Sequence, residues 1–477
     1  MVVTRILAQF GEPAIPPGPL LVGIALVGSL VLPARVLRWW TPFSALAGAI
    51  AVLLLSRPSL GAGIVLPAVL SLVLTAYLVA VTGWCRVDRA QHAALLLLAA
   101  AAALAPESGV PWELRVAAVA AAGLLSTVSA LVPAAPGPSV MEESMPGLAP
   151  SHEAPSHAAK KRRAGAAALA GLKHIIFVVF GSLCLLVAYA LAGGLAIYGE
   201  LAASPAFIVA LSLVGLIAWL ALGPFCLWWW ELAEHVSAPQ FGALIVNSGP
   251  AVAVLVLQLW QRYPHLAPEG QAAALSMAGG ALTSLVGGWS LYAARTSGQR
   301  LAGLWLLTGG FLLCGLATET PAGVGMALAA LAVTQVAAAL LAASAGVAEG
   351  LPPGSYTSRM VGSAEACALA VVAGLPPFPG FAILAATLQA ALQVHWGAAI
   401  AIGTAVVLAG AAALRAAGAA MLMPRANAPA GIEVPSSQRL RLALLLLPAT
   451  AVLALGFLPA PLIATFTAVA TRLRFVH

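Results

Sequence analysis

Apolar runs of about 20 residues recur from one end of this chain to the other, separated by short polar or Pro/Gly-rich breaks. That repetition restricts the fold to a bundle of membrane-crossing helices, because in hydrocarbon a spanning segment must satisfy its own backbone hydrogen bonds. Composition agrees: 62% of the 477 residues are hydrophobic and 8% are charged, with a mean hydropathy of +1.01. Soluble globular domains do not have this balance. The runs predict an all-α polytopic membrane protein of about 14 spans, placed near 18–35, 41–56, 61–84, 91–106, 114–133, 174–198, 205–229, 239–261, 270–293, 301–318, 321–346, 362–391, 394–422 and 440–470. Residues 1–19 carry Arg5, Glu12 and several prolines but no apolar core with a small-residue cleavage site, so no cleaved leader is expected.

Charge placement predicts the orientation. With the N-terminus outside, inner loops collect sixteen basic residues, from Arg35 and Arg38 through Lys160, Lys161, Arg162, Arg163 and Lys173 to Arg439 and Arg441; the outer side keeps Arg5, Arg57, Arg115, Arg262, Arg472 and Arg474. Such a bias marks the cytoplasmic face. The net charge of +7 therefore reads as topology and contact with anionic lipid, and nucleic-acid binding has no support. The longest polar stretch, 133–163, ends in Lys160-Lys161-Arg162-Arg163 and reads as a cytoplasmic linker at the lipid surface.

The sequence suggests no cofactor and no metal site. Cys85, Cys184, Cys226, Cys314 and Cys367 stand singly, without the spacing of a cluster or zinc site. No phosphate-binding loop, dinucleotide fingerprint or hydrolytic triad occurs. Any energy the chain uses comes from a gradient or another subunit. What remains is intramembrane polarity and helix interruption. The sequence Ala373-Gly374-Leu375-Pro376-Pro377-Phe378-Pro379-Gly380-Phe381 breaks the twelfth span, and discontinuous helices of this kind are a transporter feature.

AGLPPFPGF at 373–381 resembles the broken twelfth helix of the antiporter-like subunits of respiratory complex I and the Mrp cation/proton antiporters. Pro224-Phe225-Cys226-Leu227-Trp228, followed by Glu231, Glu234 and Pro239, is similar to the block after that family's seventh helix. ALAGLKHIIF at 168–177 resembles the start of the sixth helix in the 14-helix member of complex I, subunit N, and LGFLPAPL at 455–462 resembles the close of the last helix. The resemblance implies two inverted five-helix halves and a place among other membrane subunits of a complex I-type, hydrogenase or antiporter assembly in a bacterial inner membrane. The corresponding divisions are 1–113, 114–261 with its linker 134–172, 262–422 with the broken helix near 374–381, and 423–477.

The family carries protons along buried ionisable residues, and this chain departs from it at those positions. Gly123 stands where the fifth-helix glutamate belongs, Trp219 at the seventh-helix lysine, Gln299 beside the retained Arg300 at a further lysine, and Leu384 at the last one. No lysine follows Lys173. Charges at a helix centre cost about 2.5–3.5 kcal/mol on insertion scales, so a subunit released from conduction is expected to lose them. The resemblance thus implies a retained fold with a largely lost path. The open alternative is an active ion-translocating subunit using Lys173, Glu231, Glu234, Gln299, Arg300 and Glu365 around the break at Pro376, Pro377 and Gly380. For Lys173, beside His174, the two readings are a snorkelling anchor and a proton-uptake group. Trp228-Trp229-Trp230 reads as an interfacial belt with Glu231 and Glu234 solvated beside it, Glu365 as a helix-start acid, and Asp88, between Arg86 and Arg89, as a loop ion pair.

Overall fold

A computed structural model describes residues 27–28, 32, 34–55, 62–82, 89–106, 110–131, 157–198, 204–318, 320–348, 356–422, 436–457, 459–473 and 476. Among them there are sixteen α-helices and no strand. In chain order these are α1 (Ala34–Leu55), α2 (Ala62–Thr82), α3 (Arg89–Leu104), α4 (Trp112–Leu131), α5 (His157–Tyr198), α6 (Pro205–Trp219), α7 (Leu227–His235), α8 (Ala238–Arg262), α9 (Gln271–Ala293), α10 (Ser297–Leu316), α11 (Pro321–Ala348), α12 (Tyr356–Val372), α13 (Gly380–Val394), α14 (Trp396–Leu422), α15 (Ser436–Phe457) and α16 (Pro459–Ala470). Among the described residues, ten helical segments are long and apolar enough to cross a bilayer, and three shorter apolar helices accompany them. The protein is a multi-pass membrane protein. Most of span 18–35, the linker before residue 157 and Asp88 lie outside the described residues.

Burial divides the helices. In α8 and α11, 94% of the membrane span is buried and in α10 89%, whereas the spans of α5 and α15 are 39% and 22% buried. The first three are buried on nearly every side and form the centre; the others present one face outward, as membrane helices at the rim of a bundle do. Pro250 shapes this centre. Proline has no N–H, so the Val246 carbonyl one turn earlier has no helical donor. Gln335 Nε2 of α11 (2.9 Å) and Ser71 Oγ of α2 (2.9 Å) donate to it instead. Gln335 Nε2 also reaches Pro67 O and Ser71 Oγ at 3.1 and 3.0 Å, and Asn247 Nδ2 donates to Thr75 Oγ1 at 3.0 Å. Three helices distant in sequence are thereby pinned at one depth.

The expected span 362–391 is two helices, α12 and α13, joined through Pro376 and Pro377. Span 205–229 is also broken, contrary to the continuous helix expected there. α6 stops at Trp219, a 3₁₀ turn covers Gly223–Phe225, and α7 follows. The two breaks share one hydrogen-bond pattern. Leu222 N–H donates to Ile217 O (2.8 Å) and Leu375 N–H to Ala370 O (3.0 Å); Ala221 N–H donates to Ala218 O and Gly374 N–H to Val371 O, both at 3.3 Å. These bonds wrap the last carbonyls of each helix, as a left-handed C-terminal residue does. That residue is Ala221 (φ 56°) in the first break and Gly374 (φ 63°) in the second.

Three further expectations need correction. Helix α5 begins at His157, so the end of the expected linker, 157–172, is helical; its Ala-rich run favours helix strongly enough to extend the span. Trp228 and Trp229 are 2% and 4% exposed, which is incompatible with a lipid-headgroup belt, because the break lets α7 turn into the bundle. Glu365 lies nine residues beyond Tyr356, the first residue of α12, about 13 Å along the helix, and is no helix-start acid.

Candidate functional site

Three polar pairs line the end of the bundle where α7 passes into α8 and α9 into α10. On α5, Lys173 Nζ donates to Glu231 of α7 at 2.7 and 2.6 Å, with the two side chains 36% and 42% exposed. One turn on, Glu234 Oε1 accepts from Gln299 Nε2 at 3.1 Å. Arg300, next in sequence, forms an ion pair with Glu365 of α12. Beyond it, Arg415 of α14 donates to the Tyr292 carbonyl at 2.6 Å. The structure therefore pairs all six charged or polar candidates, from α5 to α12, with partners that sequence reasoning did not assign.

Gln299 is fixed by its helix. It is the third residue of α10, where its Oε1 accepts from the Arg295 and Thr296 backbone N–H groups at 2.9 and 3.3 Å while its own N–H donates to Thr296 Oγ1. This reciprocal capping box satisfies otherwise unpaired helix-start donors. An amide has no accessible proton-binding equilibrium, so Gln299 can relay neither charge nor proton by ionising. Glu234 and Gln299 face an open cleft of about 540 Å³ lined also by Ala233, Val236, Thr296 and Ser297.

The other positions of interest are apolar and filled, with one exception. Trp219 is 5% exposed; a Cβ on Gly181 of α5 would lie 2.9 Å from both the Trp219 Cβ and its backbone nitrogen, so α5 and α6 are in contact there. Leu384 is 7% exposed and folds back on the second break, its Cδ2 2.8 Å from where a Cβ on Gly374 would sit. Gly380 is as tightly placed, against the Val371 carbonyl. Gly123 is the exception: it is buried in α4, yet a Cβ there would meet nothing within 4 Å. Its carbonyl accepts from Thr127 Oγ1 at 3.0 Å. No group of three or more His, Cys, Asp or Glu able to hold a metal occurs among the described residues.

Sequence reasoning missed the network of Gln335, Ser71 and Asn247, for which Pro250 inside an apolar run was the available signal, and the burial of His174 against Trp228.

Comparison with known structures gives the architecture its context. A chain of an Mrp complex from a Dietzia species superposes with a TM-score of 0.69 at 15% identity, covering 96% of this chain and 97% of that one. The chain has the antiporter-like membrane fold. Respiratory complex I of Thermus thermophilus supplies a second match, with a TM-score of 0.65, 18% identity and coverage of 96% and 99%. A third comes from the membrane-bound sulfane sulfur reductase, an archaeal respiratory membrane complex, with a TM-score of 0.68, 14% identity and coverage of 97% and 98%. No family model and no curated sequence matches the chain. The antiporter-like fold is thus carried at identities where only the backbone architecture is shared, and in each neighbour it occurs within a multi-subunit membrane complex.

Proposed function

We propose that this chain is a subunit of a complex I-type or related oxidoreductase or hydrogenase assembly in a bacterial plasma membrane, with its N-terminus outside, and that it serves mainly as a structural spacer whose lateral proton path has been lost. On this reading 114–261 and 262–422 are its two inverted halves, it holds no cofactor of its own, and its partners are neighbouring membrane subunits and lipid. The observation that carries the proposal is the filling of the path. Trp219 and Leu384 stand where the resembled family has lysines, and both are buried in contact with glycine-bearing backbone. An ionised lysine at either place would need water or a counter-charge, and their immediate surroundings are side chains and backbone.

The alternative, an active translocating subunit of a complex I, Mrp-type or inorganic-carbon uptake assembly, is favoured by one observation: the pairs Lys173–Glu231, Glu234–Gln299 and Arg300–Glu365 follow one another along one end of the bundle. The test is to purify the assembly through a tag on this chain, reconstitute it, and compare proton flux per turnover in the parent with that in Lys173→Met and Glu231→Gln. The spacer reading expects unchanged flux per turnover together with loss of assembly when the chain is deleted. Flux abolished by either substitution in an intact assembly supports the alternative.

A further inference from the structure

Helices α9 and α14 pack together and turn apolar side chains outward. Leu275, Leu282 and Trp289 of α9 and Trp396, Val407 and Leu414 of α14 are all at least 60% exposed. The steps 275–282–289 and 407–414 are two helical turns each, so each set forms a line along its helix. Such lines belong against acyl chains. Polarity returns at one end. Arg415 stands 19 residues after Trp396 in α14, about 28 Å along a helix, which matches a hydrocarbon thickness of about 30 Å. With Trp396 at one boundary, as interfacial tryptophans are, Arg415 lies at the other.

Arg415 is exposed there and held in place. Its Nη2 donates to the Tyr292 carbonyl at 2.6 Å, and its guanidinium carbon lies 5.4 Å from the centre of the Tyr292 ring, itself 6.2 Å from the Trp289 ring. The remaining N–H donors of the guanidinium stay available for a planar, two-pronged contact. Arg295, also exposed, follows Tyr292 by three residues. A Cβ on Gly418, the next turn of α14, would meet nothing within 4 Å, so the surface beside Arg415 is open.

Charge decides what fits. Helices α9, α10, α13 and α14 contain no acidic residue, and Glu365 of α12 is taken by Arg300. Among the described residues Arg295 and Arg415 form no ion pair. The far end of the bundle differs: Arg262 lies 5.4 and 5.7 Å from the Tyr189 and Tyr263 rings, and Glu113 hydrogen-bonds Tyr189, so an acid already stands beside that arginine.

We propose that Arg415, with Arg295, Tyr292 and Trp289, holds the phosphate of an anionic phospholipid whose chains lie along the α9–α14 face. Guanidinium binds phosphate oxygens through parallel charge-assisted hydrogen bonds. A zwitterionic headgroup would bring a cation to a place with two arginines and no carboxylate. Lipid is favoured over free phosphate because the exposed apolar face continues from Arg415 through Leu414. The site gives a place to the lipid named above as a partner, and it rests on that part of the reading.

The experiment strips the tagged assembly of lipid in detergent, titrates in phosphatidylglycerol, phosphatidylcholine or inorganic phosphate, and counts bound lipid by native mass spectrometry. The expected result is one phosphatidylglycerol per copy of this chain, not displaced by phosphatidylcholine and held about tenfold more weakly in Arg415→Gln. Arg415→Lys, which keeps the charge and loses the planar fork, should fall between, and Arg262→Gln at the far end should match the parent. Arg295→Gln leaves the bond to Tyr292 intact, should also weaken binding, and serves if Arg415→Gln does not assemble. Equal binding in the parent and in Arg415→Gln and Arg295→Gln overturns the inference, as does displacement by phosphatidylcholine. Displacement by millimolar inorganic phosphate would mark a free-anion site and overturns it too. Loss of a neighbouring subunit from Arg415→Gln with an unchanged lipid count would assign the face to a protein contact, against the proposal. Lipid counts do not depend on proton flux, so the spacer reading stands or falls separately.

Discussion

The two helix breaks are built alike and loaded differently. Both stop a helix with the same backbone bonds and resume after a Leu-x-Pro-Phe sequence, Leu222 to Phe225 and Leu375 to Phe378. The chain separation that carries Ala221 onto Gly374 also carries Leu227 onto Gly380 and Glu231 onto Leu384. At the first break the residue after the turn is open to the outside, with Leu227 72% exposed, and the position one turn on holds an acid paired with Lys173. At the second, Gly380 lies against a carbonyl and Leu384 fills the space over Gly374. The lesson is that one backbone device serves a polar edge at one break and a tightly packed junction at the other. Break geometry by itself therefore implies no conduction.

Substitutions at matched positions sharpen this contrast. The largest effect is expected at Gly380→Ala, whose Cβ would meet the Val371 carbonyl inside contact distance; overpacking of this kind costs about 1–3 kcal/mol and more against backbone, so thermal unfolding in detergent should drop sharply, while the matched Leu227→Ala leaves it unchanged. Leu384→Lys should cost about 3 kcal/mol, whereas Leu384→Met stays within about 1.5 kcal/mol. Equal tolerance of both would mean that the junction is hydrated. Gly374→Ala adds a left-handed strain of about 1–2 kcal/mol to its contact with Leu384, and Ala221→Gly relieves the same strain, gaining up to about 1 kcal/mol after glycine's own entropy cost; opposite shifts in melting temperature check the pair. Smallest is the Lys173–Glu231 coupling. At this exposure a double-mutant cycle should return about 0–1 kcal/mol, and a larger value would make the pair a buried structural element.

Much of the architecture was legible from hydropathy. Every expected span from 41–56 onward corresponds to a helix or a broken pair, because apolar length is what a bilayer selects. The second break was visible through its three prolines. The first was hidden by its own residues: its left-handed position is an alanine, and Gly223-Pro224 sits inside an otherwise continuous apolar run. The paired leucine and Pro-Phe of the two breaks were the signal that could have exposed it. Site residues were legible as individuals and illegible as partners. Glu365 meets Arg300, and Gln335 meets Pro67, 268 residues away; such pairings are decided by helix packing, which hydropathy does not encode. The buried tryptophans failed for a related reason, since an aromatic run reads as interfacial until the break that turns it inward is known.

The measurement that tests the central claim most directly is a high-resolution structure of the native assembly, examined for ordered water between Gly123, Trp219, Gln299 and Leu384. The account predicts water near Glu234 and Gln299, with a dry interval at Trp219 and another at Leu384. A continuous file of water joining these positions and emerging through the break at Pro376 and Pro377 would contradict it and make this chain a conducting subunit.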